Sequence, residues 1–175
     1  MRLAVYEWSG AGYQRLLLDW TAIADRATLD RIAARLAATP RRPAPPQTGI
    51  GAAMRFGADL LARQPGCWRR TLDLSGDGRH NQPPHPREVR SALARSGLTI
   101  NALVIGADTP RGADRRQAGP GALPSYFRAW VLTGPGAFVQ TAPGYPAYGE
   151  AMARKLLREL ELPALSALGR RHIVQ

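Results

Sequence analysis

Cysteine is almost missing from this chain. Cys67 stands alone among 175 residues, which excludes an internal disulfide and a cysteine-rich zinc centre. Histidine is nearly as scarce, with three in all, and His80 and His85 both lie in a proline-rich stretch, so a zinc site has few ligands to draw on. Long apolar runs are absent too: no stretch approaches the roughly 18 uninterrupted apolar residues of a membrane-crossing helix. The opening MRLAVYEW has one basic residue, a short apolar run and then Glu7, which is not the pattern of an export signal. On the chain as it stands, the expectation is therefore a cytoplasmic location.

Lysine is the rarest charge. Of 24 basic residues, 23 are arginine and one, Lys155, is lysine, against 13 acidic residues, for a net charge of +11. That balance invites a nucleic-acid reading. The arginines, however, are spread along the chain, and their densest groupings are pairs such as Arg41–Arg42, Arg69–Arg70, Arg115–Arg116 and Arg170–Arg171. A binding groove would show clusters interleaved with aromatics. With abundant Ala, Gly and Pro, the pattern is that of a GC-rich coding bias and a solvated basic surface. No specific nucleic-acid partner is expected.

What remains is ordinary globular composition, 45% hydrophobic and 21% charged, in a length suited to one domain. Two strand-like runs, 2–8 and 13–20, are joined by SGAG, which predicts an antiparallel hairpin. A helix is expected over 25–39, with Leu29, Ile32, Ala33 and Leu36 on one face. After the break PRRPAPP, a second helix from Thr48 places Ile50, Met54, Ala58 and Leu61 on one stripe. RRTLDLS (69–75) reads as a strand, 86–97 as a helix capped by Gly97, and LTINALVIG (98–106) as a parallel strand buried on both faces. A loop at 107–122, a helix at 123–132, a strand at 137–142 and a helix at 145–160 complete the series. Alternating strands and helices argue for an α/β sandwich with a mostly parallel sheet and an antiparallel edge hairpin. The domain is expected over 1–162, with a tail over 163–175.

In such folds, ligands sit beyond the carboxyl ends of the strands. Asp77, in LSGDGRHN, lies there. Asp-Gly after a strand is also common turn chemistry, so three functional readings compete with a plain turn. A phosphohydrolase of the haloacid dehalogenase type needs a nucleophilic D-x-D after an earlier strand, and Glu7 and Asp19 are the only acidic residues there. A dinucleotide loop at Gly49-x-Gly51 has Met at position 54 in place of the third glycine, and no G-x-S-x-G elbow is present. The third reading is a hard-cation site built from the Thr48 hydroxyl and the Asp77 carboxylate, suited to magnesium or manganese.

Taken in order, AVYEWSGAGYQRLLLDWTAI, QTGIGAAMRFGADLL, WRRTLDLSGDGRHN, GLTINALVI, YFRAWVLTGPGAFV and YGEAMARKLLREL resemble the von Willebrand factor type A superfamily. More narrowly, they resemble a proteobacterial branch of unknown function. The resemblance implies a metal-ion-dependent adhesion site, with the Thr of one loop at Thr48 and the Asp of another at Asp77. Ser75 and Asn81 flank it as candidate supporting residues. It also implies a D-x-S-x-S motif after a central first strand, and this chain has neither. Losing that strand would remove about ten backbone hydrogen bonds at about 1 kcal/mol each, comparable to a domain's stability of about 5–15 kcal/mol. The expectation is a longer reading frame whose complete members are exported. The other outcome is direct pairing of the two strands that flank the gap.

The resemblance thus implies a protein-binding module, not an enzyme, in which a partner's carboxylate completes the metal shell. With only Thr48 and Asp77 present, metal binding should be weak or lost. The alternative is a metal-dependent hydrolase using Asp77. Elsewhere the residues read as architecture. Trp8, Trp20, Trp68 and Trp130 are expected in core or rim packing. Asn101 should bond a neighbouring loop, and Glu7 should be solvated or paired with an arginine.

Overall fold

A computed structural model describes residues 1–106 and 121–168, with side chains described up to position 160. Among the described residues, five strands and five α-helices are arranged as a mixed α/β fold. The strands form two separate sheets: an antiparallel pair β1 (Arg2–Trp8) and β2 (Gln14–Ala22), and a parallel sheet in the order β3 (Arg70–Gly76), β4 (Leu98–Ile105), β5 (Val139–Ala142). The sequence placed the hairpin on the edge of the parallel sheet. Among the described residues, β1 pairs only with β2, and β3 only with β4, so direct pairing across the proposed gap does not occur.

The chain divides into two compact units. In the first, residues 1–66 and 79–91, the hairpin packs on α2 (Ile50–Ala62). The Tyr6 hydroxyl donates to the Ala53 carbonyl at 2.8 Å, its ring meets Phe56 at 4.9 Å, and the Trp20 indole donates to Leu60 O at 3.2 Å. Ile50, Met54, Ala58 and Leu61 are all buried, as their helical spacing predicts. In α1 (Arg26–Ala37) the buried stripe differs from expectation. Thr28 and Ile32 face inward while Leu29 is exposed. The Asp25 carboxylate caps the helix, accepting from the Thr28 N–H at 2.8 Å and from its hydroxyl at 2.7 Å.

The second unit, residues 67–78 and 92–175, is built on the parallel sheet. All eight residues of β4 are buried, as expected of a central parallel strand. Helices α4 (Ala122–Trp130) and α5 (Tyr148–Leu168) pack on β4 and β5. On one face, Leu103, Ile105 and Ala142 meet Ala151, Met152 and Tyr148 of α5. Helix α3 (Pro86–Leu93) ends four residues before the expected end, because Ser96 turns back to bond Leu93 O. α5 continues through Leu168, and the loop expected at 107–122 falls mostly outside the described residues. No described helix is long and apolar enough to cross a membrane.

Candidate functional site

Strand β3 carries the chemistry through its period of two. Leu72, Leu74 and Gly76 are buried. The alternate residues Asp73 and Ser75, and Asp77 just past the strand, are polar, and each is met by the chain segment that ends in α5. The Tyr145 hydroxyl, in a 3-10 turn (Tyr145–Ala147), donates to Asp77 Oδ2 at 2.9 Å. The Ser75 hydroxyl shares a hydrogen bond with the Tyr148 hydroxyl at 3.2 Å. Asp73 is hydrogen-bonded by the Lys155 ammonium. The strand is thus fastened to α5 and the turn before it by three successive polar contacts.

The deepest contact is an ion cluster. Lys155 is 0% exposed, and its ammonium also donates to Glu159 Oε1 at 2.6 Å. The same oxygen accepts from Asn101 Nδ2 at 2.6 Å. Asn101, itself 1% exposed, turns its carbonyl oxygen to the Phe138 N–H at 3.1 Å. The Phe138 ring lies 5.6 Å from the Lys155 ammonium and 3.9 Å from the Arg158 guanidinium. Burial, then the neighbouring Asp73 carboxylate, pushes the Glu159 carboxyl above the usual glutamate range, and Lys155 pulls it back only in part.

In the first unit, Thr48 lies on the loop leading into α2. Its backbone is clamped by Asn81: the Thr48 N–H donates to Asn81 Oδ1 at 2.8 Å, and the Asn81 N–H donates to Thr48 O at 3.0 Å. Next to it, Gln82 Oε1 accepts from the Ala11 N–H at 2.7 Å. Ser9 binds the same loop, its hydroxyl directed at the Pro45 and Gln47 carbonyls and its own carbonyl accepting from Gly49 N at 2.7 Å. Gly49 is required there, since a Cβ would collide with the Ala11 and Gly10 backbone.

The expected site residues therefore fall into three local groups. Asn81 joins Thr48, Ser75 joins Tyr148, and Asp77 joins Tyr145. Asp77 is exposed, beyond the carboxyl end of β3. Among the described residues, no group of three or more His, Cys, Asp or Glu side chains could hold a metal ion. What the expected pair offers a hard cation is one carboxylate and one hydroxyl. Magnesium takes six oxygens, and the rest of its shell would be water.

Other expectations resolve plainly. Glu7 pairs with Arg15 at 2.8 Å and accepts from the Tyr13 hydroxyl at 2.6 Å. Asn101 does bond the segment before β5, at Phe138. Trp68 is the exception among the tryptophans: it is 84% exposed and packs in neither core nor rim. The cluster around Lys155 was missed in the sequence. Its one visible signal was a single lysine in a chain that otherwise uses arginine.

A family profile described as "Protein of unknown function (DUF1194)" matches residues 1–164. Among curated protein sequences, none matches the chain. Among solved structures, the chain is similar to proximal thread matrix protein 1 (PTMP1) from the mussel byssus, with a TM-score of 0.59 at 18% identity. That alignment covers 87% of this chain and 33% of the mussel chain. At such identity the likeness is one of fold.

Proposed function

The chain belongs to the DUF1194 family, and we propose that it is a protein-binding module of the von Willebrand A type whose rim keeps part of a metal-ion-dependent adhesion site. The observation that carries this reading is the placement of Asp77. It is an exposed carboxylate immediately beyond a parallel strand, oriented by the Tyr145 hydroxyl, where α/β folds bind their ligands. The Thr48 loop supports it, being braced by Asn81, Gln82 and Ser9 as a preformed surface.

In this reading the Asp77 carboxylate supplies an oxygen to Mg²⁺ or Mn²⁺, Thr48 is the second ligand that the family resemblance implies, water supplies others, and a partner protein's carboxylate completes the shell. Asn81 fixes the Thr48 loop, and Ser75, through Tyr148, steadies the strand that presents Asp77. The metal would supply positive charge to attract that carboxylate. With two protein ligands, affinity for the ion alone is expected to be weak.

Calorimetric titration of MnCl₂ tests the proposal, using the wild-type chain, Asp77→Ala and Thr48→Val. Binding that is weak in the wild type, lost in both variants and strengthened by an acidic peptide supports it. Equal heats in all three proteins refute the metal site. Asp77-dependent, magnesium-dependent turnover of a phosphoester would instead make the chain a hydrolase.

A further inference from the structure

Lys155 is the one lysine of a chain with 23 arginines, and it is also the one fully buried cation among the described residues. The site explains the choice. A compact ammonium with three donors fits between Asp73 and Glu159, where a guanidinium with five would leave donors unpaired. The cluster nonetheless does not balance. Two carboxylates share one ammonium, so the ionised form carries an excess negative charge in a desolvated place. The Glu159 side chain is 12% exposed and that of Asp73 is 27% exposed.

The groups facing Glu159 can be named from every element around it. β3 contributes Asp73, β4 contributes Asn101, and the segment before β5 contributes Phe138. α5 contributes Lys155, and Arg158 lies over the Phe138 ring. Arg69, just before β3, reaches the Glu159 main-chain oxygen at 3.4 Å. The neutral Asn101 amide and Lys155 are therefore the only donors on the carboxylate itself among the described residues, and both use Oε1. The other oxygen is where a proton would add, beside the Asp73 carboxylate that would accept its hydrogen bond.

We propose that Glu159 is the proton-sensitive element of a latch: taking up a proton in mild acid, it balances the cluster and tightens the hold of α5 on the parallel sheet. No bond is broken and no co-reactant is needed. One proton moves from solvent to Glu159, and the cluster passes from net negative to neutral. Because Tyr145 and Tyr148 tie the same segment to Asp77 and Ser75, the strand that presents Asp77 is steadied in the same event.

A carboxyl whose folded value is raised binds its proton more tightly folded than unfolded. Stability then increases as pH falls through the raised value, and the gain levels off below the ordinary glutamate value of 4.5. Each unit of elevation is a tenfold change in the folding constant across that window. Urea midpoints of the full chain and of Glu159→Gln, measured from pH 8 to pH 4.5, isolate the effect from the other carboxylates. The variant is expected to be the more stable at pH 8, with the difference shrinking as pH falls. A difference constant across the range overturns the latch. Carbon-detected titration of Glu159 in the wild type decides independently, including where the variant fails to fold. A midpoint clearly above 4.5 supports the proposal, and one at or below it refutes it.

Discussion

Replacing Lys155 by methionine removes the ammonium but keeps most of the volume that the side chain fills. The loss is then electrostatic. Lys155 is 0% exposed and bonds both Asp73 and Glu159. A surface ion pair contributes about 0–1 kcal/mol, whereas removing one partner from a buried pair costs about 3–5 kcal/mol, because it strands the other charge. Here two carboxylates are stranded, but Asp73 retains some contact with water and Glu159 can escape by protonation. About 3 kcal/mol at pH 8 is therefore the expected loss, a large share of a domain's total of about 5–15 kcal/mol. With a urea slope of about 1–3 kcal/mol per molar, the unfolding midpoint should fall by about 1–3 M. The triple variant Asp73→Asn, Lys155→Met, Glu159→Gln leaves no buried charge, and it should recover most of the loss. A loss below about 1 kcal/mol for Lys155→Met would refute a buried cluster and show that it behaves as a surface pair.

Three further outcomes are expected. Gly51→Ala should destabilise the chain by about 1–3 kcal/mol in a denaturant melt. An added Cβ meets the Pro84 carbonyl oxygen well under 3.0 Å, reversing the gain of about 0.5–1 kcal/mol usual for this exchange inside helices. Trp68→Phe should leave stability within about 0.5 kcal/mol while removing the tryptophan emission most readily quenched by acrylamide, since Trp68 is 84% exposed; unchanged quenching would contradict its placement. His80 is held below the ordinary histidine value, by burial first and by His85 second. Its contribution should be full above pH 6.5 and decline as pH falls through that value, so His80→Gln should lose less stability than the wild type on acidification from pH 7.5 to pH 5, read from thermal melts.

The elements were legible where one local pattern sufficed. The α2 stripe and the unbroken apolar run of β4 each encode burial directly, through spacing alone. Helix α1 was found but turned the wrong way, because a buried threonine is invisible to a hydrophobic count. The separation into two sheets was not legible either, since strand order depends on partners far apart in sequence. For the candidate site, Asp77 and Thr48 were readable from position and resemblance. Their neighbours were not: Tyr145 lies 68 residues from Asp77, and Lys155 lies 82 from Asp73. No spacing rule spans such intervals.

The buried lysine also gives the chain a built-in chemical reporter. Amine-acylating reagents find a single side-chain target in these 175 residues, and while α5 is seated that nitrogen is out of reach. Acylation at Lys155 therefore counts openings of the helix one at a time, without any engineered probe. Mass spectrometry of timed reactions would turn that count into an opening rate.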